Sequence, residues 1–430
     1  MSDFKKLRDI CLRITDGSHY SPPASDDGYP MLSVKDMGSY DFDFSDCKLI
    51  TESEFKKMIR NGCVPLKNDV VIAKDGSYLK NAFVINEDRD IAILSSIGIL
   101  RPDVSIVNPY YLKYYLSSNH VKREVSKKYV TGSALPRIIL DNFGEIEIPI
   151  ASLDDQKKIV RTLKCIDDKI ANNNAIISEL ESMAKDIYDY WFVQFDFPDE
   201  NGKPYKSSGG KMVWNEELKR EIPEGWKPAK FGDFVTIKRG ISYSASNLVD
   251  DGFPMINLNS FTPSATYKTS GIKYYSGEIK ESGQVNAYDL LMCTTQQTDI
   301  DGKTDIIGKT MLVPDLFNSK MVFSMDLVKI HTDELLKTLI VSETKTPWYN
   351  KYITGFATGT SILHLKLDGF LSYQIPLPED TAVMRRFNSM YMEWERKKSI
   401  AMNENEELTS LRDWLLPMLM NGQVKVGGVA

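Results

Sequence analysis

The sequence repeats itself at about half its length, and this repeat limits the possible folds more than any other feature. Asp27–Met31 (DGYPM) returns as Asp251–Met255 (DGFPM), 224 residues later. Further matches follow in the same order at an offset of 227 residues: Thr131–Ser133 with Thr358–Thr360, Leu140–Phe143 with Leu367–Phe370, and Ile148–Ile150 with Ile375–Leu377. A nearly constant offset over several matches predicts two duplicated units.

Each unit begins with a segment that predicts a globular domain, residues 1–151 in the first and 231–378 in the second. Short apolar runs bounded by Gly, Asn and Asp are typical of strands, as in Val70–Ala73, Ile91–Leu94 and Leu290–Met292. Short helices are expected at Tyr110–Ser117 and Glu334–Val341. The predicted fold class is therefore α+β, with two similar domains that each contain an irregular sheet and short helices.

Each globular segment is followed by a stretch with coiled-coil spacing, residues 152–192 and 379–421, in which side chains recur at alternating intervals of four and three. The first series is Ile159, Leu163, Ile166, Ile170, Asn173, Ile177, Leu180, Ala184, Ile187 and Trp191. The second is Phe387, Tyr391, Trp394, Lys398, Ala401, Asn405, Leu408, Leu411 and Leu415. We expect two long helices that pair with each other, the first with Ser152 as its N-cap and a length of about 60 Å.

Both series contain a polar residue near mid-length, Asn173 and Asn405. A buried Asn pair would fix the register of the two helices at some cost in stability. The equally weighted alternative is a solvated stretch, because Asn172, Asn173 and Asn174 are consecutive.

Residues 193–230 are predicted to connect the two units, and residues 422–430 to form a C-terminal tail. The part from Pro198 to Trp226 is rich in Gly, Pro, Ser and charged residues, which indicates an exposed linker.

Charge and cysteine content exclude several classes of protein. The 53 Lys and Arg and 59 Asp and Glu give a formal net charge of −6, which excludes a histone-like, tail-driven grip on nucleic acid. The five cysteines include no C-x-x-C pair, and the four histidines supply no zinc-ligand spacing. Without a signal-like apolar core or an apolar run of about 18 residues, we expect a cytoplasmic protein outside the membrane.

Motifs for catalysis are incomplete. Asn108-Pro109-Tyr110-Tyr111 is similar to the [ND]-P-P-[FYW] loop of amino-methyltransferases but lacks the second proline, and no glycine-rich cofactor loop precedes it. Glu54–Lys56 and Glu278–Lys280 have the E-x-K spacing of nuclease metal sites without a convincing second carboxylate upstream. No G-x-x-x-x-G-K-[ST] loop is present. We expect no catalytic residue, no metal site and no cofactor bound by this chain.

Two similar domains separated by paired helices could contact two points on a long ligand at a fixed separation. A DNA duplex presents such points, and pseudo-two-fold proteins read half-sites at a spacing that the protein sets. Because the two units differ in sequence, they would read different half-sites.

Four segments connect the chain to a known family: Asp155–Ile159 (DQKKI), Tyr190–Pro198 (YWFVQFDFP), Asn201–Met212 (NGKPYKSSGGKM) and Glu221–Trp226 (EIPEGW). In these segments, and over essentially its whole length, the chain resembles the specificity (S) subunits of type I restriction-modification systems. It departs from the family at Glu379–Arg386 (EDTAVMRR), which replaces a D-Q-K-K-I type of opening for the second helix.

The resemblance implies that residues 1–151 and 231–378 are target recognition domains and that the long helices are conserved regions packed antiparallel. In the family this subunit binds double-stranded DNA at an asymmetric bipartite sequence. It docks two methyltransferase subunits, which use S-adenosylmethionine to methylate adenine, and it can recruit two restriction subunits that use ATP and Mg.

Candidate DNA contacts are loops with hydrogen-bonding side chains and nearby basic residues. In the first domain they are Thr15, Asp16, Gly17, Ser18, His19 and Tyr20, which resemble a D-G-[ST]-H loop of the family, together with Lys74, Lys80 and Arg137. In the second they are Lys238, Arg239, Gly240, Ser242, Tyr243, Thr294, Thr295, Gln296 and Gln297. The adjacent glutamines suit adenine edges. For each residue the alternative is a solvated surface loop.

The sequence alone is compatible with two other functions. One is a DNA-binding scaffold for another effector, and the other is a fused methyltransferase with an unrecognised cofactor site.

Because the chain lacks a cofactor loop, we expect the purified chain to transfer no methyl group to DNA. Incubation with labelled S-adenosylmethionine and duplex DNA checks this, with the same mixture plus a methyltransferase subunit as the control. Incorporation of label by the chain alone would contradict the expectation and favour the fused methyltransferase.

Overall fold

The computed structural model describes residues 3–38, 40–75, 81–131, 137–297, 306–424 and 426. The chain divides into two compact units, residues 1–171 with 406–430 and residues 172–405. Each unit therefore combines one globular segment with part of both long helices.

The strands and helices of the first unit follow in chain order: β1 (Asp3–Lys6), α1 (Leu7–Ile10), β2 (Cys11–Asp16), β3 (Tyr29–Leu32), β4 (Lys48–Ile50), α2 (Glu52–Arg60), β5 (Val70–Ala73), β6 (Ala82–Val84), β7 (Ala92–Ile93), β8 (Ile97–Pro102), α3 (Pro109–Ser117), α4 (Asn119–Tyr129), β9 (Val130–Thr131), β10 (Arg137–Ile138), α5 (Leu140–Glu145), β11 (Glu147–Ile150) and α6 (Leu153–Tyr188), which continues into the second unit.

A four-stranded antiparallel sheet in the order β2-β8-β5-β6 forms the centre of the first domain. Alternate residues of β5 face two different apolar clusters: Val70 and Ile72 pack with α3, while Val71 and Ala73 pack with the side chains of β8 and β6 on the opposite side. A strand covered on both faces reads as a continuous apolar run, which explains why the sequence predicted it. A second sheet has the order β4-β3-β7, and β1 pairs with β11 to bring the ends of the domain together.

The elements of the second unit are β12 (Met212–Asn215), β13 (Arg220–Pro223), β14 (Trp226–Lys230), β15 (Thr236–Arg239), β16 (Leu248–Val249), β17 (Phe253–Ile256), β18 (Lys273–Tyr275), β19 (Gln284–Val285), β20 (Leu290–Cys293), β21 (Thr295–Gln297), β22 (Thr310–Leu312), β23 (Met321–Phe323), β24 (Leu327–His331), α7 (Glu334–Glu343), α8 (Pro347–Ile353), β25 (Ala357–Thr358), β26 (Ile362–Leu365), α9 (Leu367–Ser372), β27 (Gln374–Pro378) and α10 (Ala382–Met420), which ends in the first unit.

The second domain repeats the strand pairing of the first. Its central sheet is β15-β24-β20-β22, its second sheet contains the order β18-β17-β23, and β14 pairs with β27. These match β2-β8-β5-β6, β4-β3-β7 and the β1–β11 ladder element by element. The duplication and the α+β fold class are confirmed, as are the short helices that the structure forms as α3 and α7.

The long helices pair antiparallel within each unit. In the first unit, Ile159 and Leu163 of α6 pack in one cluster with Leu416 and Leu419 of α10. In the second unit, Tyr188 of α6 packs against Phe387 of α10. In the direction in which residue numbers rise along α6, they fall along α10. Ser152 is the N-cap of α6, as predicted, because its hydroxyl accepts a hydrogen bond from the backbone N–H of Asp155 at 3.2 Å.

The central asparagines form the buried polar contact that was one of the two expectations. Asn173 is 2% exposed, and its Nδ2 donates to Asn405 Oδ1 at 3.0 Å and to Glu404 Oε2 at 2.7 Å. Asn405 Nδ2 donates in turn to Asn174 Oδ1 at 2.9 Å. Because these bonds form at one alignment of the helices, they favour that register.

The prediction for the end of the second heptad series is wrong at Leu411, whereas Leu415 packs against the core of the first unit as predicted. Leu411 is 44% exposed, whereas Leu416, Leu419 and Met420 are buried. The neighbouring Arg412 is turned toward α6, where its guanidinium binds Asp167 at 2.9 Å. An ion pair therefore takes the place that the spacing assigned to a leucine.

The connector also differs from the expected exposed linker. Residues 212–223 form the β12–β13 hairpin, and Phe197 and Trp226 are buried with ring centroids 5.3 Å apart. Its Gly, Pro and Ser residues give the tight turns that allow these aromatic side chains to reach the core of the second unit. Composition predicted the turns but could not show the packing.

We expect Asn173→Ala to lower the free energy of unfolding by about 1–3 kcal/mol, because it leaves the Asn405 oxygen without its donor in a buried place. Chemical denaturation checks this. Asn172→Ala is the matched control, since Asn172 is exposed on the same helix and Ala is the better helix former. Equal stability of the two variants would show that the asparagine contact contributes nothing.

Candidate nucleic-acid interface

In the first domain the predicted loop after β2 lies directly on the backbone of the second sheet. The Ser18 N–H donates to Ile93 O at 2.8 Å, and Ser95 N–H donates to Ser18 O at 2.9 Å. A Cβ atom on Gly17 would come within 2.1 Å of Ile93 O, so only glycine fits. The contact fixes the loop and leaves His19 and Tyr20 exposed.

Two candidate residues of the first domain bind each other. Asp16 and Lys74 are both buried, and the Lys74 ammonium lies 2.8 Å from the Asp16 carboxylate. His19 Nε2 lies 3.4 Å from the same carboxylate. This pairing holds the loop after β2 to the end of β5. Asp16 and Lys74 therefore position His19 and are not themselves exposed at the surface.

A hairpin of β9 and β10 completes the surface of the first domain. Ile138 N–H donates to Lys74 O at 3.1 Å, and Arg137 pairs with Asp75 in an isolated antiparallel bridge. Arg137 is exposed. One carboxylate oxygen of Asp75 is buried and has no hydrogen-bond partner among the described residues. Lys80 lies outside the described residues.

The second domain builds the same arrangement from different side chains. Ile241 N–H donates to Phe323 O at 2.8 Å, and Met325 N–H donates to Ile241 O at 2.8 Å. A Cβ atom on Gly240 would come within 2.2 Å of Ser324 O, as for Gly17. Around this loop, the exposed side chains are Lys238, Arg239 and Ser242, whereas Tyr243 is half-buried.

The Thr294–Gln297 segment matches the end of β5. Leu365 N–H donates to Thr294 O at 2.8 Å, which corresponds to the bond between Ile138 and Lys74, and Thr294 Oγ1 donates to Asp326 O. Thr295, which is half-buried, then pairs with His364 across β21 and β26.

The two glutamines have different roles. Gln296 is 5% exposed, and its Oε1 accepts hydrogen bonds from the N–H groups of Ile306 and Ile307 at 2.8 and 2.9 Å. Its side-chain oxygen is thus hydrogen-bonded inside the domain. Gln297 is exposed. Of the pair suggested for adenine edges, the structure leaves only Gln297 at the surface.

Sequence reasoning missed His364. It is exposed on β26 and stands opposite Thr295 as Arg137 stands opposite Asp75. The signal was available, because His364 follows Arg137 at the offset of 227 residues that the other matches share. The two side chains differ so much that the pattern of residue types did not reveal the equivalence.

The motifs considered for catalysis have structural roles. Asn108 caps α3, and its Oδ1 accepts hydrogen bonds from the N–H groups of Tyr110 and Tyr111 at 2.9 and 3.4 Å. No group of His, Cys, Asp or Glu side chains among the described residues could hold a metal ion. Nor is any helix in the described part of the chain long and apolar enough to span a membrane.

Comparison with known proteins agrees with the fold. Residues 2–182 match the family model of the type I restriction modification DNA specificity domain. The type I restriction enzyme MjaIX specificity subunit of Methanocaldococcus jannaschii is 24% identical over 99% of this chain and 94% of its own. The HindI specificity subunit of Haemophilus influenzae is 23% identical over 83% of this chain and 87% of its own.

A solved structure supports the same assignment at the level of the fold. The S subunit of a type I restriction-modification system from M. genitalium has a TM-score of 0.56 and 14% identity, and the match covers 98% of this chain and 96% of that one. Residues 2–182 thus match a type I restriction modification DNA specificity domain, and over nearly its whole length the chain is similar to specificity subunits of type I restriction enzymes.

Substituting Gly240 by Ala should lower the thermal stability of the second domain by several degrees, because the added Cβ clashes with a backbone oxygen that cannot move away from its sheet. A thermal melt followed by circular dichroism checks this. Gly355→Ala is the control, since no atom lies within 4 Å of its added Cβ. A Gly240→Ala variant as stable as the control would mean that the loop adapts and that glycine is not required.

Proposed function

We propose that this chain reads an asymmetric bipartite DNA sequence for a type I restriction-modification complex, with one half-site for each domain. The observation that carries the proposal is a shared backbone scaffold with different side chains. The same hydrogen bonds hold the first loop and the hairpin in both domains, yet Arg137 in one corresponds to His364 in the other. A common scaffold can dock on the phosphate backbone in one way, while different side chains read different bases.

The exposed side chains divide into two groups by their chemistry. Arg137 can donate two hydrogen bonds to guanine O6 and N7, and Gln297 can pair with the N6 and N7 atoms of adenine. Lys238 and Arg239 lie on β15 and suit phosphate contact, because their charge carries no base preference by itself. His19, Tyr20, Ser242 and His364 add hydrogen-bonding groups beside them.

The buried candidates act indirectly in this proposal. Asp16, Lys74 and Gln296 hold the exposed loops in place, as their hydrogen bonds and ion pairs within the domain indicate. Gly17 and Gly240 allow the loops to approach the sheets. Loss of any of these residues would reduce recognition through the loop conformation.

The partners follow from the family. The chain would dock two methyltransferase subunits, which bind S-adenosylmethionine, and could recruit two restriction subunits that use ATP and Mg. It would supply sequence recognition and no catalytic residue. The named relatives, which are specificity subunits of type I restriction enzymes, support this assignment.

Substitution in one domain should change one half of the methylated sequence. We expect Arg137→Ala to relax discrimination at positions of one half-site by about 1–3 kcal/mol, or roughly 5- to 150-fold, and to leave the other half unchanged. The double variant His364→Ala with Gln297→Ala should relax discrimination in the other half-site and leave the half read by the first domain unchanged. Sequencing of methylated sites in cells that contain the full complex measures both.

Lys351→Ala is the control, because Lys351 is exposed on α8 outside the proposed surface. Two outcomes would refute the assignment of these residues. One is a substitution in a single domain that alters both half-sites, and the other is a folded chain that carries Arg137→Ala, Gln297→Ala and His364→Ala together and keeps its full specificity.

A further inference from the structure

A cavity of about 610 Å³ lies inside the second unit, between α6, α10 and the turn that joins α7 to α8. Tyr188, Tyr391 and Trp348 provide aromatic walls, and Trp348 is 44% exposed. This volume is within the range of small-molecule binding sites, which combine apolar walls with a few polar groups.

Four lysines line this cavity, and one of them, Lys345, makes no direct ion pair with a described residue. Lys185 binds Asp189 at 3.0 Å. Lys398 binds Glu395 at 2.9 Å, and Lys309 donates to Pro263 O at 2.7 Å. Among the described residues, no oxygen accepts a hydrogen bond from the Lys345 ammonium. Glu395 and Glu181 act on the Lys345 ammonium electrostatically without a direct bond to it. A buried cation that no carboxylate contacts directly is a position where an anion would be stabilised.

Hydrogen-bond acceptors line one wall of the cavity. The Glu181 carboxylate is held there by the Lys398 ammonium, which lies 3.2 Å from its Oε1. Serine side chains of α6, Ser178 and Ser182, line the same wall. A ligand bound here can donate hydroxyl groups to this wall while its anion contacts Lys345.

The equivalent helix positions in the first unit border a smaller cavity. There the residues at an offset of 227 from Tyr391, Glu395 and Lys398 are Lys164, Asp168 and Ala171, and they border a cavity of about 170 Å³. Lys113 and Asp167, which bind each other at 3.1 Å, also line it. The fold does not require an open cavity at this position, so its size in the second unit is a property of that unit.

We propose that the cavity of the second unit binds a nucleoside monophosphate, with the phosphate at Lys345, a ribose hydroxyl donating to Glu181, and the base against Trp348. This ligand class supplies an anion for Lys345, hydroxyl donors for the wall that contains Glu181, and a planar ring for Trp348 in one small molecule. The site is separate from the DNA-reading loops and does not depend on the proposed function.

The charges around Lys345 predict how binding varies with pH. Burial lowers the pKa of Lys345 to about 8, with a further decrease from Lys398 and Lys309, and Glu395 and Glu181 oppose the decrease. Lys345 is therefore protonated at pH 7 and loses its proton as the pH rises through 8. We expect the affinity for the phosphate to fall about tenfold between pH 7 and pH 9.

Isothermal titration of the full chain with AMP, GMP, CMP and UMP tests the proposal, with adenosine and inorganic phosphate as partial ligands. At least one monophosphate should bind saturably and more tightly than either partial ligand. Lys345→Gln should weaken binding at least tenfold, Lys345→Arg should retain it, and the matched control Lys351→Gln should have no effect. Thermal melts of each variant confirm that it is folded.

A duplex DNA competitor separates this site from the DNA-reading surface. Binding in the cavity should persist when duplex DNA is present, and the Lys345→Gln variant should still bind DNA like the unchanged chain. The proposal is overturned if no monophosphate binds, if Lys345→Gln binds as well as Lys351→Gln, or if duplex DNA displaces the nucleotide.

Discussion

The pairing of α6 with α10 is the constraint on which each domain depends, because it joins segments that are more than two hundred residues apart in sequence. In the first unit, the Asp167 carboxylate receives hydrogen bonds from Lys113, Tyr114 and Arg412, the last of these 245 residues away. Burial alone would raise the pKa of Asp167, but these partners hold it below its ordinary value. A buried carboxylate with three donors is strongly stabilised only when all of them are in place, so the cluster links the domain helix α3, the first long helix and the second.

In the second unit, a different set of side chains joins the domain to the two long helices. Lys398 of α10 binds Glu181 of α6 and Glu395 of its own helix, and the pKa of Lys398 is raised by these carboxylates against the effect of burial. Glu343 at the end of α7 accepts hydrogen bonds from Tyr188, Tyr373 and Trp348. The domain is thus fixed to its helices, and a cavity remains beside Lys345.

The same division between scaffold and variable side chains describes the DNA-reading surface. Glycine at 17 and 240 is set by a close approach to backbone oxygens, and the loop and hairpin hydrogen bonds in each domain use backbone atoms. Such contacts place no demand on the neighbouring side chains. Arg137 and His364 can therefore differ without altering the fold, and this is the physical basis on which one architecture could read two unrelated half-sites.

The sequence by itself determined the duplication, the strand β5, the N-cap Ser152 and the apolar positions of α6, because these depend on local patterns of burial and capping. For the central asparagines, Asn173 and Asn405, it left two alternatives, a buried pair or a solvated stretch. Only the tertiary structure showed that Asn173 bonds Asn405, that Arg412 displaces Leu411 from the helix contact, and that Trp226 turns the connector into part of a core. It likewise decided that Gln296 points inward while Gln297 does not. These outcomes rest on partners distant in the chain, whose approach cannot be read from the spacing of residues along one segment.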